Sequence, residues 1–154
     1  MSSSEHAPFS KESLLEFARQ LPFFNLIGLE IVDLGPGWST TRITYRTDLC
    51  QPAGIMHGGM IASLIDTGIA HAILATEMFV ALAKEGGHMV SVDLRVKYLR
   101  PVGEGVITCE AKIPRLGKHI IHGEAIVTNS EGKEVARGDS IYMTVQRSQL
   151  SKKE

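Results

Sequence analysis

The sequence predicts an α+β domain in which one antiparallel sheet wraps around a single long helix. Three observations carry this reading. Residues 58–82 hold Met, Ile, Ala and Leu on nearly every side and contain no proline, and a helix that is apolar all round has to be buried. Two strand-like runs joined by Gly35-Pro36-Gly37 precede it, and a meander of four more follows it. Helix and meander satisfy each other when the apolar face of the sheet closes over the helix.

Each element has its own signal. The first is a short helix over 10–20, with Ser10 as N-cap and an apolar stripe of Leu14, Leu15, Phe17, Ala18 and Leu21. Pro22 ends it. Strands over 28–34 and 38–45 flank the Gly-Pro-Gly turn as a hairpin. The central helix over 58–82 would run roughly 37 Å at 1.5 Å per residue, and Gly86-Gly87 stops it. The next strand, 90–99, alternates, with Val90, Val92, Leu94, Val96 and Tyr98 on one face and Ser91, Asp93, Arg95 and Lys97 on the other. Runs over 105–114 and 119–129 meet at 115–118, and the last strand, 135–145, follows a turn at 129–132. The expected organisation is a flexible 1–9, one domain over 10–147 and a flexible 148–154. One sheet around one helix leaves strand edges bare. Pairing with a second copy is the simplest cover, so a homodimer or larger assembly is expected.

Composition narrows the function. The chain has 154 residues, one domain's worth, with 16 Lys+Arg against 17 Asp+Glu. That balance argues against a nucleic-acid partner, which needs a basic excess. Ser63, Asp66, Thr67, Gly68 and His71 interrupt the longest apolar stretch, so no membrane span is expected. Cys50 and Cys109 are too few for a disulfide framework and suit a cytoplasmic protein, with Cys50 read as a small buried side chain. His57, His71, His88, His119 and His122 show no metal-ligand spacing, so no metal is expected. G-x-S-x-G, Walker A and G-x-G-x-x-G are absent.

The informative stretch is Gln51 to Asp66. His57-Gly58-Gly59 stands where a loop becomes the central helix. The first N–H groups of a helix are unpaired and its dipole favours negative charge, which makes an anion or oxyanion site. Two glycines also make an ordinary tight turn, and the residues alone leave both readings open. Asp66 lies among Leu64, Ile65, Ile69 and Ala70. A buried carboxylate without a partner costs several kcal/mol, so it is either bonded in the core or faces a cleft as base or nucleophile. His57 and Asp66 are nine residues apart, on opposite sides of one helix, and form no dyad within one chain. Across a two-fold axis, the acid of one chain could meet the helix start of another. Arg95, Lys97, Arg100, Arg115 and Lys118 fall in or beside the strands after the helix, as solvated charges or phosphate contacts.

This stretch resembles the hotdog-fold acyl-CoA thioesterases of the phenylacetic-acid-degradation (PaaI-like) group. The likeness rests on His57-Gly58-Gly59 followed by Leu64-Ile65-Asp66-Thr67, reinforced by Val90 through Pro101, and covers roughly residues 21–146. It implies a hotdog fold, dimers that pair into tetramers, an acyl-CoA substrate, and no cofactor beyond the coenzyme A that the substrate carries. Asp66 matches the family's catalytic acid, and Gly58 the glycine whose N–H polarises the thioester carbonyl. Ser91 matches a hydroxyl that helps place the attacking water. Gln51 falls where many members carry Asn, and it keeps the amide but adds a methylene. His57 belongs to the H-G-G signature. Arg100, Arg115 and Lys118 are the candidates for nucleotide phosphates. Ile61, Ile65, Met89 and Phe79 are candidate pocket walls, and the acyl group stays open. The rival readings are a hotdog hydratase/dehydratase using His57, and a non-catalytic acyl-CoA-binding protein.

Overall fold

The computed structural model describes residues 9–146; the expected flexible ends, Phe9 apart, lie outside the described residues. Helix α1 spans Lys11–Arg19, capped by Ser10, whose Oγ accepts the Ser13 N–H at 3.2 Å. Pro22 does more than end α1. It opens a second short helix, α2 (Pro22–Ile27), at the first helical position, where its missing N–H costs nothing. There follow β1 (Leu29–Gly35), β2 (Trp38–Thr44), a 3-10 turn (Thr47–Leu49), α3 (Gly58–Leu74) and α4 (Glu77–Lys84). The last four strands are β3 (Gly87–Tyr98), β4 (Val106–Leu116), β5 (Ile120–Thr128) and β6 (Glu134–Gln146); only β4, β5 and β6 form a meander, because β3, expected as its first strand, pairs with β6 at the far edge and not with β4. All six strands form one antiparallel sheet in the order β1-β2-β4-β5-β6-β3. The α+β expectation therefore holds, with β1 and β3 as the edges.

Three further expectations need correction. The helix expected over 58–82 is two helices, bent by 79° at the break. Thr76 makes the break: its Oγ1 accepts the Phe79 N–H at 3.3 Å and donates to the Ile73 carbonyl at 2.7 Å. Such a hydroxyl offers the chain a local alternative to the helical ladder. Neither helix alone is long and apolar enough to cross a membrane. The strand ends at 115–118 also differ, since β4 runs through Arg115 to Leu116 and β5 resumes at Ile120.

The third correction bears on the site. Strand β3 starts at Gly87, and its register against β6 slips between Ser91 and Asp93. Ser91 pairs with Tyr142 but Asp93 pairs with Ile141, so Val92 is an extra residue. A bulge of this kind reverses the parity of everything beyond it. Ser91 (opposite Tyr142) therefore shares a face with Leu94 (opposite Ser140), Val96 (opposite Gly138) and Tyr98 (opposite Ala136). That face looks onto α3. Asp93 and Arg95 turn to the outer face, where Arg95 holds Asp139 through two contacts of 2.9 and 2.6 Å.

The core lies between α3 and the sheet. Leu64, Ile65, Ile69 and Ile73 are fully buried, each contributing about 1.5–3 kcal/mol by area. Two buried hydroxyls of β2 set the helix's position along the sheet: Ser39 donates to the Gly68 carbonyl at 2.6 Å, and Thr41 reaches the Leu64 carbonyl at 3.5 Å. Gly123 on β5 and Gly138 on β6 allow the close approach, since a Cβ at either would strike Ile69 or Ile65. Phe79, expected as a pocket wall, is buried in the core edge-on to Phe9. The outer face carries charges paired across strands, Arg42 with Glu30 and, lining a concavity of about 600 Å³, Lys112 with Glu124 and Arg95 with Asp139.

Candidate active site

The start of α3 opens into a cleft of about 430 Å³. Gln51, His57, Gly58, Ile61, Tyr98 and Arg100 are among the residues lining it. The loop leading there is pinned by backbone hydrogen bonds: Gln51 N–H to the Ile55 carbonyl (2.9 Å), Met56 N–H to Val102 (2.8 Å) and His57 N–H to Leu49 (2.8 Å). His57 is the N-cap in extended backbone, and its Nδ1 accepts the Gly59 N–H at 2.8 Å. The Met60 N–H goes to the His57 carbonyl at 2.9 Å. Among the described residues nothing accepts the Gly58 N–H. The helix thus presents one free donor at its positive end, next to the cleft.

Tyr98 holds this end from the sheet side. Its hydroxyl donates to the Gly58 carbonyl at 3.0 Å, and a Cβ on residue 58 would meet its ring at 3.1 Å. Glycine here spares Tyr98 a tight contact that a larger residue would relieve only by shifting the ring a few tenths of an ångström.

Asp66 stands two turns further on, half-buried. Tyr142, buried on β6, donates its hydroxyl to Asp66 Oδ1 at 2.6 Å, and the same hydroxyl lies 3.0 Å from the Asp66 main-chain carbonyl. Burial, and then the neighbouring carboxylate, push the Tyr142 phenol far above its ordinary range, with Ser91 a lesser, opposing influence. Tyr142 is therefore a donor at every working pH. Among the described residues no hydrogen bond reaches Asp66 Oδ2. Ser91 Oγ lies 3.3 Å from Ser140 Oγ, whose own proton goes to the Asp93 carbonyl at 2.7 Å.

The structure gathers Gln51, His57, Gly58 and Arg100 at the start of α3, and Asp66 with Ser91 beside its middle. Arg100 is tied to the Glu134 carbonyl at 2.5 Å. Arg115 and Lys118 belong to the β4–β5 hairpin, at the Ser91 end of the sheet, and are exposed. Cys50, expected buried, is half-buried, its thiol donating to the Arg46 carbonyl at 3.2 Å. Among the described residues no three His, Cys, Asp or Glu side chains converge as metal ligands would. Tyr98 and Tyr142 were not expected at the site. In sequence each reads as an ordinary strand former, and only their registers on β3 and β6 bring them to α3.

The chain and its fold have known relatives. Residues 53–136 match the family model described as the Thioesterase superfamily, and the chain belongs to that family. Acyl-coenzyme A thioesterase 13 of Homo sapiens is 26% identical over 132 residues, 83% of this chain and 89% of that protein. The solved structure of conserved protein PA5202 from Pseudomonas aeruginosa superposes with a TM-score of 0.73 at 27% identity, covering 81% of this chain and 94% of that one. The E. coli PaaI protein from the phenylacetic acid degradation operon shares the fold, with a TM-score of 0.73 at 20% identity over 87% of this chain and 91% of that one. The expected hotdog fold and the expected family are both met.

Proposed function

We propose that this protein is an acyl-CoA thioesterase that works as a homodimer, hydrolysing an acyl thioester to the free acid and coenzyme A at sites shared between two copies. Family membership supports thioester hydrolysis, and the human relative's named activity supports coenzyme A as the carrier. One observation carries the shared site. Gly58 and Asp66 are eight residues apart on one helix, a rise of about 12 Å. The carbonyl oxygen has to lie about 3 Å from the donor and the attacking water about 3 Å from the base, an arrangement more compact than that rise, which supports each group finding its counterpart on another chain.

The free edge of β3 offers the junction. It is 12 residues long and exposes Val92, Leu94 and Tyr98, an edge that single chains avoid leaving open. Asp66 lies over the Ser91 end of β3 and Gly58 over the Tyr98 end. Antiparallel pairing of two such edges about a two-fold axis brings the Tyr98 end of one copy to the Ser91 end of the other. Arg100 of the first copy and Arg115 and Lys118 of the second then come to the same end, as candidates for the nucleotide phosphates. Pairing of such dimers into tetramers rests on the resemblance, and solution mass tests it.

In this arrangement the Gly58 N–H and the positive end of α3 hold the thioester oxygen as it gains charge. His57 has already taken the Gly59 N–H, which leaves the Gly58 donor for the ligand. Asp66 of the second copy takes a proton from water, whose oxygen bonds to the carbonyl carbon, and Ser91 helps place that water. Collapse of the oxyanion breaks the C–S bond, and coenzyme A leaves as the thiolate, which then gains the proton. Gln51 borders the cleft as a further polar contact.

The test is thiol release from phenylacetyl-, 4-hydroxybenzoyl-, hexanoyl- and lauroyl-CoA. Asp66→Asn should lose about 10²–10⁴ in rate with the fold intact. Near-normal turnover by that variant removes Asp66 from its role. A change in enoyl absorbance without thiol would indicate a hydratase, and tight binding with neither would indicate a carrier or sensor.

A further inference from the structure

We propose that Tyr142 is a positioning residue for Asp66, fixing which carboxylate oxygen is free to act. The inference rests on the reading that Asp66 activates water. Its geometry is a double grip. The phenol oxygen is 2.6 Å from Oδ1 and 3.0 Å from the main-chain carbonyl of the same residue, so the side chain is tied to the sheet at the point where the helix carries it. Tyr142 is 4% exposed, which shields that hydrogen bond from competing water and strengthens it. With Oδ1 engaged and no donor on Oδ2 among the described residues, one oxygen holds the group in place and the other is left for chemistry.

The surroundings make the phenol the dominant influence. From β6, Ser140 is a neutral hydroxyl on the α3 side; from β3, so is Ser91. Of the charged residues of those strands, Asp139, Arg95 and Asp93 pair with one another on the outer face, Glu134 pairs with Arg137, and Lys97 is registered with Arg137. His122 on β5 is registered with Ile141 and not with the α3-facing residues. In the proposed dimer, His57 of the second copy approaches from the helix start, its Nδ1 already occupied. A hydrogen bond donated to a carboxylate favours the charged form, so its removal makes the group easier to protonate.

The experiment measures the pH dependence of kcat/KM on the best-hydrolysed of the four thioesters above, for wild type, Tyr142→Phe and Asp66→Asn. A fourth protein carries 3-fluorotyrosine in place of Tyr142, which keeps ring and hydroxyl but makes a stronger donor. Tyr142→Phe should lower kcat by about tenfold with KM changed by less than about twofold, and move the acid limb upward. The fluorinated protein should move that limb the other way, and it remains informative if Tyr142→Phe does not fold. An acid limb unmoved in both, whatever kcat does, overturns the proposal and leaves Tyr142 as packing. Wild-type activity in Asp66→Asn would instead overturn the role of Asp66 beneath it, and the two failures are told apart by which variant stays normal.

Discussion

If Gly58 and Asp66 act across a two-fold axis, two dead variants should revive each other. The first is Gly58→Pro, which deletes the free N–H and nothing else that the local fold needs. Position 58 is the first of α3, where proline is favoured. The residue before proline must be extended, and His57 already has φ −62° and ψ 133°. The added ring atoms would press on Tyr98, whose ring stands 3.1 Å from the Cβ position but is half exposed and free to give. The expected loss is about 10²–10³ in kcat, the usual cost of an oxyanion donor. The second variant is Asp66→Asn. Each alone fails at both sites of its homodimer. In a mixed dimer one site carries both defects and the other carries neither. Random exchange of equal amounts makes half the dimers mixed, each with one intact site out of two, so activity should return to about a quarter of wild type. Thiol release is measured before and after exchange by mild denaturation and refolding, with mass spectrometry counting mixed dimers. Mixed dimers that form in the expected proportion and stay inactive would refute the shared site.

Two further outcomes follow from side chains away from the reaction. Burial depresses the His71 pKa below its ordinary 6.5, opposed by the hydrogen bond to the Thr67 carbonyl. The unfolded chain therefore binds a proton near pH 6.5 that the folded chain refuses, and stability falls as pH drops from 6.5 toward the native pKa, by up to about 1.4 kcal/mol per pH unit. Urea midpoints between pH 7.5 and 5 should show this slope, and His71→Leu should flatten it; equal slopes would count against it. Burial also pushes the Cys109 thiol up to about 12, so a thiol reagent should label half-buried Cys50 in the native protein and reach Cys109 only on unfolding. Labelling of both at equal rates would contradict the packing of β4 on α3.

What the sequence disclosed and what it hid divide along physical lines. Asp66 was legible because a carboxylate among Leu64, Ile65 and Ile69 has no neutral explanation: it must be bonded or face a cleft. The structure puts a phenol on one oxygen and leaves the residue partly exposed. Gly58 was legible because a helix start leaves donors unpaired whatever follows. Thr76 was not, since one hydroxyl in an apolar run does not announce that it will cap the next helix. Tyr142 was not, because its partner lies 76 residues away and only strand register joins them. The bulge at Val92 was the least visible, as no glycine or proline marks it, yet both halves of the candidate site depend on it. Ser91 and Tyr98 are seven residues apart, an odd number, and in a regular strand they would face opposite sides of the sheet. One of them would then leave α3: either the hydroxyl beside Tyr142 and Asp66, or the ring that holds Gly58. The extra residue lets a single strand serve the acid at the middle of the helix and the oxyanion donor at its start. In a dimer built on that strand's free edge, the same strand would deliver those two groups to two different reactions.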